Sequence, residues 1–172
     1  MESLKEVYMN RLKIMYLKLR IGNKFKKAYY NFIYKGQLIW PKSVSFRERL
    51  DFLIEKGATL TIGEHTFFNR DCSITAQEKI TIGDYCIFGE NVKIYDHNHI
   101  FKNIPETIAR QGFKTAPITI GNNCWFGTNV VVLKGVTVGN NCVISAGCIV
   151  DKDVPDNSIL KRDGTIEKIV SK

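Results

Sequence analysis

Two of the three histidines in this 172-residue chain are His97 and His99, which lie close together in the segment Tyr95-Asp96-His97-Asn98-His99. The imidazole of histidine has an unperturbed pKa of about 6.5, so near neutral pH it can take a proton from a weak nucleophile. The carboxylate of Asp96 can hydrogen-bond within the same segment and fix the tautomer of an imidazole. This segment is therefore a candidate site for general base catalysis.

A six-residue repeat surrounds the histidine segment on both sides and must position it. Large aliphatic or aromatic residues recur every six positions, with one long break at that segment: Ile62, Phe68, Ile74, Ile82, Phe88, Ile94, Ile120, Phe126, Val132, Val138, Ile144 and Val150. Four positions after these residues, wherever the chain is not interrupted, lies a small or β-branched residue: Thr66, Cys72, Cys86, Val92, Cys124, Val130, Val136, Cys142, Cys148 and Val154.

Such a short repeat predicts a coil of strands, because six residues are too few for a helical repeat. Val, Ile, Thr and aromatic residues between Gly and Asn are typical of short strands joined by corners. Three repeats then form one turn of the coil, which is the spacing from Ile120 to Val138, and the large side chains point inward. The sequence therefore predicts an all-β fold, a β-helix.

Two irregular spacings locate insertions in this coil. The step from Ile62 to Ile82 is one turn plus two extra residues near positions 78 and 79. The step from Ile82 to Ile120 is one turn plus an inserted loop over about 95–116. The inserted loop contains both neighbouring histidines, so we expect the chemistry there.

The repeat also accounts for the cysteines, since all five occupy its small positions: Cys72, Cys86, Cys124, Cys142 and Cys148. An odd number argues against a closed set of disulfides. A thiol at such a position is a compact apolar side chain in the core. We therefore interpret the cysteines as core residues rather than as metal ligands or nucleophiles.

The net charge of +8 belongs entirely to the N-terminal part of the chain. Residues 1–56 hold 13 Lys and Arg against five acidic residues, and the remainder holds 12 of each. Within this part, apolar residues follow helical spacing: Leu4, Tyr8, Leu12, Met15 and Leu19. Two interpretations stay open, a helix that packs on the coil or a segment, residues 1–40, that docks on an anionic membrane surface. Nucleic acid is not predicted, because no binding motif accompanies the charge.

The remaining length and composition predict one intracellular domain. No apolar run approaches the roughly 20 residues of a membrane span, and no secretory signal is visible. We expect a cytoplasmic protein, located at the inner face of the membrane if residues 1–40 dock there.

The repeats, the loop, and the run Pro117-Ile118-Thr119-Ile120-Gly121-Asn122-Asn123-Cys124-Trp125-Phe126-Gly127 resemble the hexapeptide-repeat acyltransferases. The resemblance covers roughly 57–159 and points to the branch of galactoside and maltose acetyltransferases and polysaccharide O-acetyltransferases. It implies a left-handed parallel β-helix, a homotrimer, and transfer of acetyl groups from acetyl-CoA in clefts between subunits. The predicted organisation is a basic N-terminal segment over 1–45, the coil over 46–160, and a cap or tail over 161–172.

The same resemblance implies roles for individual residues of the acceptor side. Counted without gaps from Thr81-Ile82-Gly83-Asp84, His99 falls on the position of the family's catalytic base. His97 and Asp96 are expected to contact the acceptor or to order the loop. Asn69 matches an asparagine that contacts the acceptor, although asparagine is also common at a β-helix corner.

Other positions match the acetyl-CoA side of the family's site. The backbone N–H of Thr128 is expected to stabilise the oxyanion of the tetrahedral intermediate. Trp125 should point outward and form a wall of the cleft, or else be an exposed or trimer-buried aromatic residue. Ala146 and Gly147 match the coil edge along which pantetheine runs, and Lys152 matches a basic residue near the nucleotide.

The end of the chain departs from the family's pattern. A Gly-x-Pro-(Ala/Cys)-(Lys/Arg) segment usually closes over CoA, whereas this chain continues Leu160-Lys161-Arg162-Asp163-Gly164-Thr165-Ile166-Glu167-Lys168. Contacts from Lys161, Arg162 or Lys168 to the phosphates of CoA are one interpretation. A terminal strand that caps the coil edge is the other.

Together these features predict an acetyl-CoA-dependent O-acetyltransferase that acts on a sugar, without a metal, in the synthesis of a surface polysaccharide. An amino sugar, a free oligosaccharide or a xenobiotic is an alternative acceptor. Two further alternatives are a non-enzymatic binding scaffold and a zinc-dependent hydratase. The hydratase requires His65, which we expect on the surface after Gly63, to converge with His97 and His99.

Overall fold

The protein's structure, a computed structural model, describes residues 23–170 and divides between residues 35 and 36 into two compact units. The first unit holds a helix, α1, over residues 23–33. Helical hydrogen bonding continues to Tyr34, whose N–H donates to the carbonyl of Tyr30, and Gly36 follows with a φ of 81°. The positive φ of Gly36 ends the helical conformation. The helix predicted through Leu4 and Leu19 lies outside the described residues.

The second unit is a coil in which each turn contributes three short strands. Before the histidine loop, three turns contain β1 (Leu38–Ile39), β2 (Ser45–Phe46) and β3 (Asp51–Ile54); β4 (Thr59–Ile62), β5 (Phe67–Phe68) and β6 (Ser73–Ala76); and β7 (Lys79–Ile82), β8 (Ile87–Phe88) and β9 (Lys93–Tyr95). An inserted hairpin follows, made of β10 (His97–His99) and β11 (Phe113–Thr115). The coil then continues with β12 (Ile118–Ile120), β13 (Trp125–Phe126) and β14 (Val131–Val132); β15 (Thr137–Val138), β16 (Val143–Ile144) and β17 (Ile149–Val150); and finally β18 (Ser158–Leu160) and β19 (Ile166–Lys168). A 3₁₀ helix, Ile108–Arg110, lies within the hairpin.

Equivalent strands of successive turns pair in parallel and form the three faces of a prism. Sheet A has the order β1-β4-β7-β12-β15, sheet B contains β18-β16-β13-β8-β5-β2, and sheet C has the order β17-β14-β9-β6-β3. Strand β19 pairs antiparallel with β18 at the end of sheet B. The predicted fold is confirmed as a left-handed parallel β-helix with a helical, basic N-terminal segment.

The strand register follows the spacings of the sequence. Ile62 pairs with Ile82, Ile82 with Ile120, and Ile120 with Val138, so each of these unequal intervals corresponds to one step up sheet A. The two extra residues lie at the corner between β6 and β7. The longest interval contains the hairpin of β10 and β11, which leaves the coil after β9 and returns at β12.

The core is built from the two residue classes of the repeat, since every member of both classes is buried. Phe68, Phe88 and Phe126 stack through successive turns with ring centroids 4.7 Å apart. The five cysteines are buried and free, as predicted from their positions. Burial raises the pKa of the Cys72 thiol to about 11, so this sulfur stays protonated at neutral pH.

One corner of the prism requires a left-handed backbone, which His65 and Tyr85 adopt in the earlier turns and asparagine adopts in the later ones. Asn123, Asn141 and Asn157 occupy equivalent corner positions with φ between 55° and 56°. Asparagine tolerates this left-handed conformation better than most residues. Their side chains also form a ladder of two hydrogen bonds of 2.9 Å, in which Nδ2 of Asn123 donates to Oδ1 of Asn141, and Nδ2 of Asn141 donates to Oδ1 of Asn157.

The first turn of the coil begins with β1, and its last strands are β18 and β19. Leu38 of β1 pairs with Leu60 in sheet A. This first turn keeps the six-residue spacing through Trp40, Phe46 and Phe52, and the ring of Trp40 stacks on Phe46 and meets Phe52 edge-on. At the other end, β19 covers the edge of β18.

Candidate active site

The histidine loop is an insertion at the corner between sheets C and A. Its two strands pair antiparallel, with His97 opposite Thr115 and His99 opposite Phe113. The tip is fixed by hydrogen bonds among Asn103, Glu106 and Gln111. The alternating pattern of the strand puts the side chains of His97 and His99 on the same face of the hairpin.

Asp96 fastens this loop to the coil. Its side chain is fully buried, and its carboxylate accepts hydrogen bonds of 2.8–2.9 Å from the backbone N–H groups of Gln77, Glu78 and Lys79. Its backbone carbonyl accepts a bond from the N–H of Ala116, where the loop returns. Asp96 thus connects both ends of the loop to the corner at which the two extra residues lie. That Asp96 contacts an acceptor stays a prediction, and its observed bonds all lie within the chain.

His97 is held between the anchor and two aromatic rings. Its Nδ1 lies 3.4 Å from Oδ1 of Asp96, and its side chain is 15% exposed. The rings of Tyr95 and Phe113 approach it edge-on, with centroid distances of 6.1 and 5.3 Å. His97 is therefore oriented by its surroundings.

His99 is exposed and has a different environment. Its ring lies against Phe113, with the centroids 4.4 Å apart and the planes tilted by 42°. Within residues 23–170, no group is hydrogen-bonded to its imidazole. Both ring nitrogens are therefore accessible to a substrate.

An open depression of about 450 Å³ lies beside these histidines. It is lined by Tyr95, His97, Asn98, His99 and Phe101. This volume falls within the usual range for small-molecule sites, and the lining combines aromatic rings with a few polar groups, as such sites require. The loop can therefore hold a small polar molecule that has apolar faces.

A free backbone donor lies at the corner between β13 and β14. Gly127 donates its N–H to the carbonyl of Ile144, and Asn129 donates to Glu90, but in the described part of the chain the N–H of Thr128 has no acceptor. Gly127 must lack a side chain, because a Cβ there would lie 2.6 Å from the backbone nitrogen of Ala146. The close packing of these turns leaves the Thr128 N–H available to a ligand.

Asn69 shows why this donor is free. Asn69 occupies the position of Gly127 two turns earlier, and its Oδ1 accepts a 2.9 Å bond from the N–H of Arg70, the equivalent of Thr128. With glycine at position 127, no side chain is present to occupy the donor. The predicted contact between Asn69 and an acceptor stays a prediction, and its oxygen is used by the corner.

Trp125 points outward, as the sequence predicted, and is 54% exposed. In sheet B it lies between Ile87 and Val143, and the next strands on either side present further apolar side chains at the same register position: Phe67 and Ile159. These five residues, Phe67, Ile87, Trp125, Val143 and Ile159, form the apolar stripe of sheet B.

One chain does not bring the histidine loop and Thr128 together. Thr128 lies in the corner that precedes β14, whereas the loop follows Tyr95 at the opposite end of the paired strand β9. The two groups therefore lie at opposite edges of sheet C, a strand's length apart.

The three basic residues that could contact the phosphates of CoA differ in their partners. Lys161 pairs with Glu167, and Nζ of Lys168 donates to the carbonyl of Asp156 at 2.7 Å. Arg162 has no ionic or hydrogen-bonding partner within residues 23–170, and its Nε lies 3.8 Å from where a Cβ of Gly147 would be. An unpaired guanidinium therefore lies beside the corner of Gly147, which has a φ of 75° and no side chain to cover its backbone.

Lys152, predicted to contact the nucleotide of CoA, is engaged within the chain. Its Nζ donates to the carbonyl of Gly164 at 2.9 Å. A contact of Lys152 with CoA stays a prediction, as do the contacts predicted for Ala146 and Gly147.

His65 lies at a different corner from the loop. It follows β4 with a φ of 56°, is exposed, and stacks on the ring of Tyr85 with the centroids 5.0 Å apart. Across residues 23–170, no three side chains of His, Cys, Asp or Glu lie close enough together to hold a metal ion. Convergence of the three histidines within one chain, as a zinc site would need, is therefore not observed.

Comparisons with known proteins agree with this architecture. Residues 117–152 match the family model described as the hexapeptide repeat of succinyl-transferase. A candidate acetyltransferase of Saccharomyces cerevisiae is 34% identical over 157 residues, which cover 83% of this chain and 77% of the yeast protein. Galactoside O-acetyltransferase of Escherichia coli is 38% identical over 104 residues, which cover 60% of this chain and 50% of that protein.

A solved structure agrees as well. A hexapeptide-repeat acetyltransferase of Vibrio cholerae in complex with acetyl-CoA is 26% identical, with a TM-score of 0.65 over 84% of this chain and 79% of that one. By its fold and its histidine loop, this chain belongs to the class of hexapeptide-repeat β-helix proteins. Together with the yeast match, they show that this chain belongs to the hexapeptide-repeat acetyltransferase family. The chain spans about half the length of the Escherichia coli relative.

Proposed function

We propose that the protein is an acetyl-CoA-dependent O-acetyltransferase that transfers acetyl to a hydroxyl of a sugar in the synthesis of a surface polysaccharide. The observation that carries this proposal is the exposed imidazole of His99, which has no hydrogen-bond partner among residues 23–170 and lies beside an aromatic-lined depression. Sugars present apolar C–H faces and polar hydroxyls, which suits Tyr95 and Phe101 together with a basic nitrogen. A building block or a lipid-linked intermediate of the polysaccharide is the proposed acceptor.

The proposed reaction is a direct transfer. As the acceptor oxygen attacks the thioester carbonyl, its proton passes to a ring nitrogen of His99. The N–H of Thr128 donates to the carbonyl oxygen as it becomes negative, and such a donor is typically worth about 10²- to 10³-fold in rate. When the C–S bond breaks, the imidazolium of His99 returns the proton to the departing thiolate. The products are an acetyl ester and free CoA.

The groups around His99 have supporting roles in this proposal. His97 contacts the acceptor or orders the loop, and Asp96 holds the loop in place. Trp125 forms a wall of the cleft, and pantetheine follows the coil edge at Ala146 and Gly147. The open corner at Gly147 and the unpaired Arg162 beside it fit an extended anionic cosubstrate.

A homotrimer completes this site. The His99 loop and Thr128 lie at opposite edges of one sheet, so a second copy must supply the group that is missing at each edge. The apolar stripe of sheet B offers a surface on which copies can pack. We further propose that the enzyme works in the cytoplasm, where residues 1–40 bring it to the inner face of the membrane.

The experiment that tests this function measures free thiol released from acetyl-CoA when free and lipid-linked sugars are offered. The His99→Ala variant should lose about 10²- to 10⁴-fold in kcat/KM, the range for a general base, while His97→Ala should lose less. His65→Ala is the matched control, because this exposed histidine lies at another corner, and its rate should not change.

Two outcomes would contradict this proposal. Equal, mild losses in His99→Ala and His97→Ala would mean that His99 is not the base. An acetylated amine without any acetyl ester among the products would replace the hydroxyl acceptor with an amino sugar. Mass spectrometry of the product distinguishes these bonds.

A further inference from the structure

Helix α1 exposes its large apolar side chains. Phe25, Tyr29 and Phe32 are 74%, 58% and 83% exposed, and their spacing of four and three residues puts them on one face of the helix. Ile33 borders this face and is also exposed. Tyr30, in contrast, is buried, and its ring stacks on that of Tyr34. We call the residues Phe25, Tyr29, Phe32 and Ile33 the aromatic face of α1.

Lysines flank this face on both sides. At about 100° per residue, Lys24 and Lys26 project to either side of Phe25, and Lys26 also lies 5.6 Å from the ring centroid of Tyr30. Residues 23–35 contain four lysines and no acidic residue. The sequence of residues 1–35 carries nine basic residues and two acidic ones, a net charge of +7 out of the chain's +8. Among the described residues, Lys24 and Lys26 thus flank the exposed aromatic face of α1.

We infer that the aromatic face of α1 docks in the plane of an anionic lipid surface. Aromatic rings lie favourably at the boundary between headgroups and acyl chains, and the flanking lysines reach the phosphates of the headgroups. Nucleic acid fits less well, because the centre of the face is apolar and the charges lie at its margins. No helix within residues 23–170 is long and apolar enough to cross a membrane. This docking rests on the proposed recruitment of residues 1–40 to the membrane and names the side chains that make it, and it does not depend on acetyl transfer.

Flotation of the full chain with lipid vesicles tests the inference. We expect the protein to float with vesicles of phosphatidylcholine and phosphatidylglycerol, to remain behind with phosphatidylcholine alone, and to be released by salt. Phe32→Ser should lower the partition coefficient by about tenfold or more, since it removes one aromatic side chain that the lipid would bury. Lys24→Gln should lower it about fivefold.

Two matched variants control for general effects. Val170→Ser changes an apolar residue that is 85% exposed outside the helix, and Lys56→Gln removes an exposed positive charge from the coil. Both should bind vesicles as the unchanged protein does.

Three results would overturn the inference: no flotation at low salt, equal flotation of Phe32→Ser and Val170→Ser, or a change in oligomeric mass on Phe32→Ser without any effect on flotation. The last result would assign the aromatic face to a protein contact. Acetyl transfer to a soluble sugar is measured on the same variants and should be unchanged, so a failure of the membrane inference is distinguishable from a failure of the proposed enzyme.

Discussion

The two loop histidines are separated by one residue, yet their environments suit different tasks. His97 is oriented by the carboxylate of Asp96 and by edge contacts with two rings. His99 rests on one face of Phe113 and leaves both nitrogens open. An imidazole that must meet successive substrates needs the second environment, and a side chain that shapes the loop needs the first. The sequence motif alone does not separate these environments, since Phe113 comes from the other strand of the hairpin.

A residue-scale prediction concerns Arg162, which has no partner in the described part of the chain, whereas Lys161 pairs with Glu167 and Lys168 with the carbonyl of Asp156. Arg162→Ala should raise the Kd for CoA about tenfold, because an arginine–phosphate contact is charge-assisted. Lys161→Ala, at the neighbouring position, is the control and should change the Kd little, because Lys161 already pairs with Glu167. Isothermal titration with CoA and with dephospho-CoA measures both variants and identifies the phosphate involved.

The prediction for Arg162 fails if Arg162→Ala binds CoA as the unchanged protein does, or if Lys161→Ala is the weaker binder. The sequence left Lys161, Arg162 and Lys168 equivalent. The separation comes from Glu167 and the carbonyl of Asp156, which reach the two lysines only after β19 folds back on β18.

At the scale of elements, the corner between β6 and β7 shows how the histidine loop is attached to the coil. Its three backbone N–H groups lack strand partners and instead bind the carboxylate of Asp96. The spacing of the repeat predicted two extra residues at this corner. It did not predict their partner, because the pairing of Asp96 with a corner 17 to 19 residues earlier depends on where the loop leaves and returns.

We expect Asp96→Ala to lower the free energy of unfolding by about 3 kcal/mol or more. The change leaves three donors of the corner unsatisfied, and each such group costs roughly 1–3 kcal/mol when buried. Urea denaturation measures the effect. Glu78→Ala is the matched control, because Glu78 is exposed at the same corner and an exposed substitution is usually worth within about 0.5 kcal/mol. Equal stability of the two variants would show that the anchor does not stabilise the fold.

At the scale of the whole molecule, the repeat predicted the coil well because its periodicity reports burial directly. All twelve large positions and all ten small ones lie in the core. The prediction missed the first turn, although Trp40, Phe46 and Phe52 keep the same six-residue spacing there. The sequence also could not reveal that Thr128 and the loop lie at opposite edges of sheet C, which follows from the path of the folded strands.

The trimeric site proposed here makes a prediction about mixed assemblies. His99→Ala removes the base, and Thr128→Pro removes the backbone donor, so each variant alone should be inactive. If each site combines one group from each of two subunits, trimers formed by co-refolding equal amounts of both variants should regain about one quarter of the activity. Light scattering checks that every preparation is trimeric.

A mixture of His99→Ala with His99→Asn serves as the control for this experiment, since no subunit in it carries the base. That mixture should stay inactive. If the mixture of His99→Ala and Thr128→Pro also stays inactive while its trimers form normally, both groups of a site come from the same subunit.

The direct pairing of β12 with β7 has a consequence for how this protein can change. The whole histidine loop enters and leaves the coil at one corner without disturbing the register on either side. The loop therefore behaves as an exchangeable module, whose length and side chains can diverge while the prism beneath it keeps its geometry. The proposed acceptor preference can thus diverge independently of the scaffold as long as Asp96 remains, and a designer can replace the module beyond Asp96 without redesigning the core.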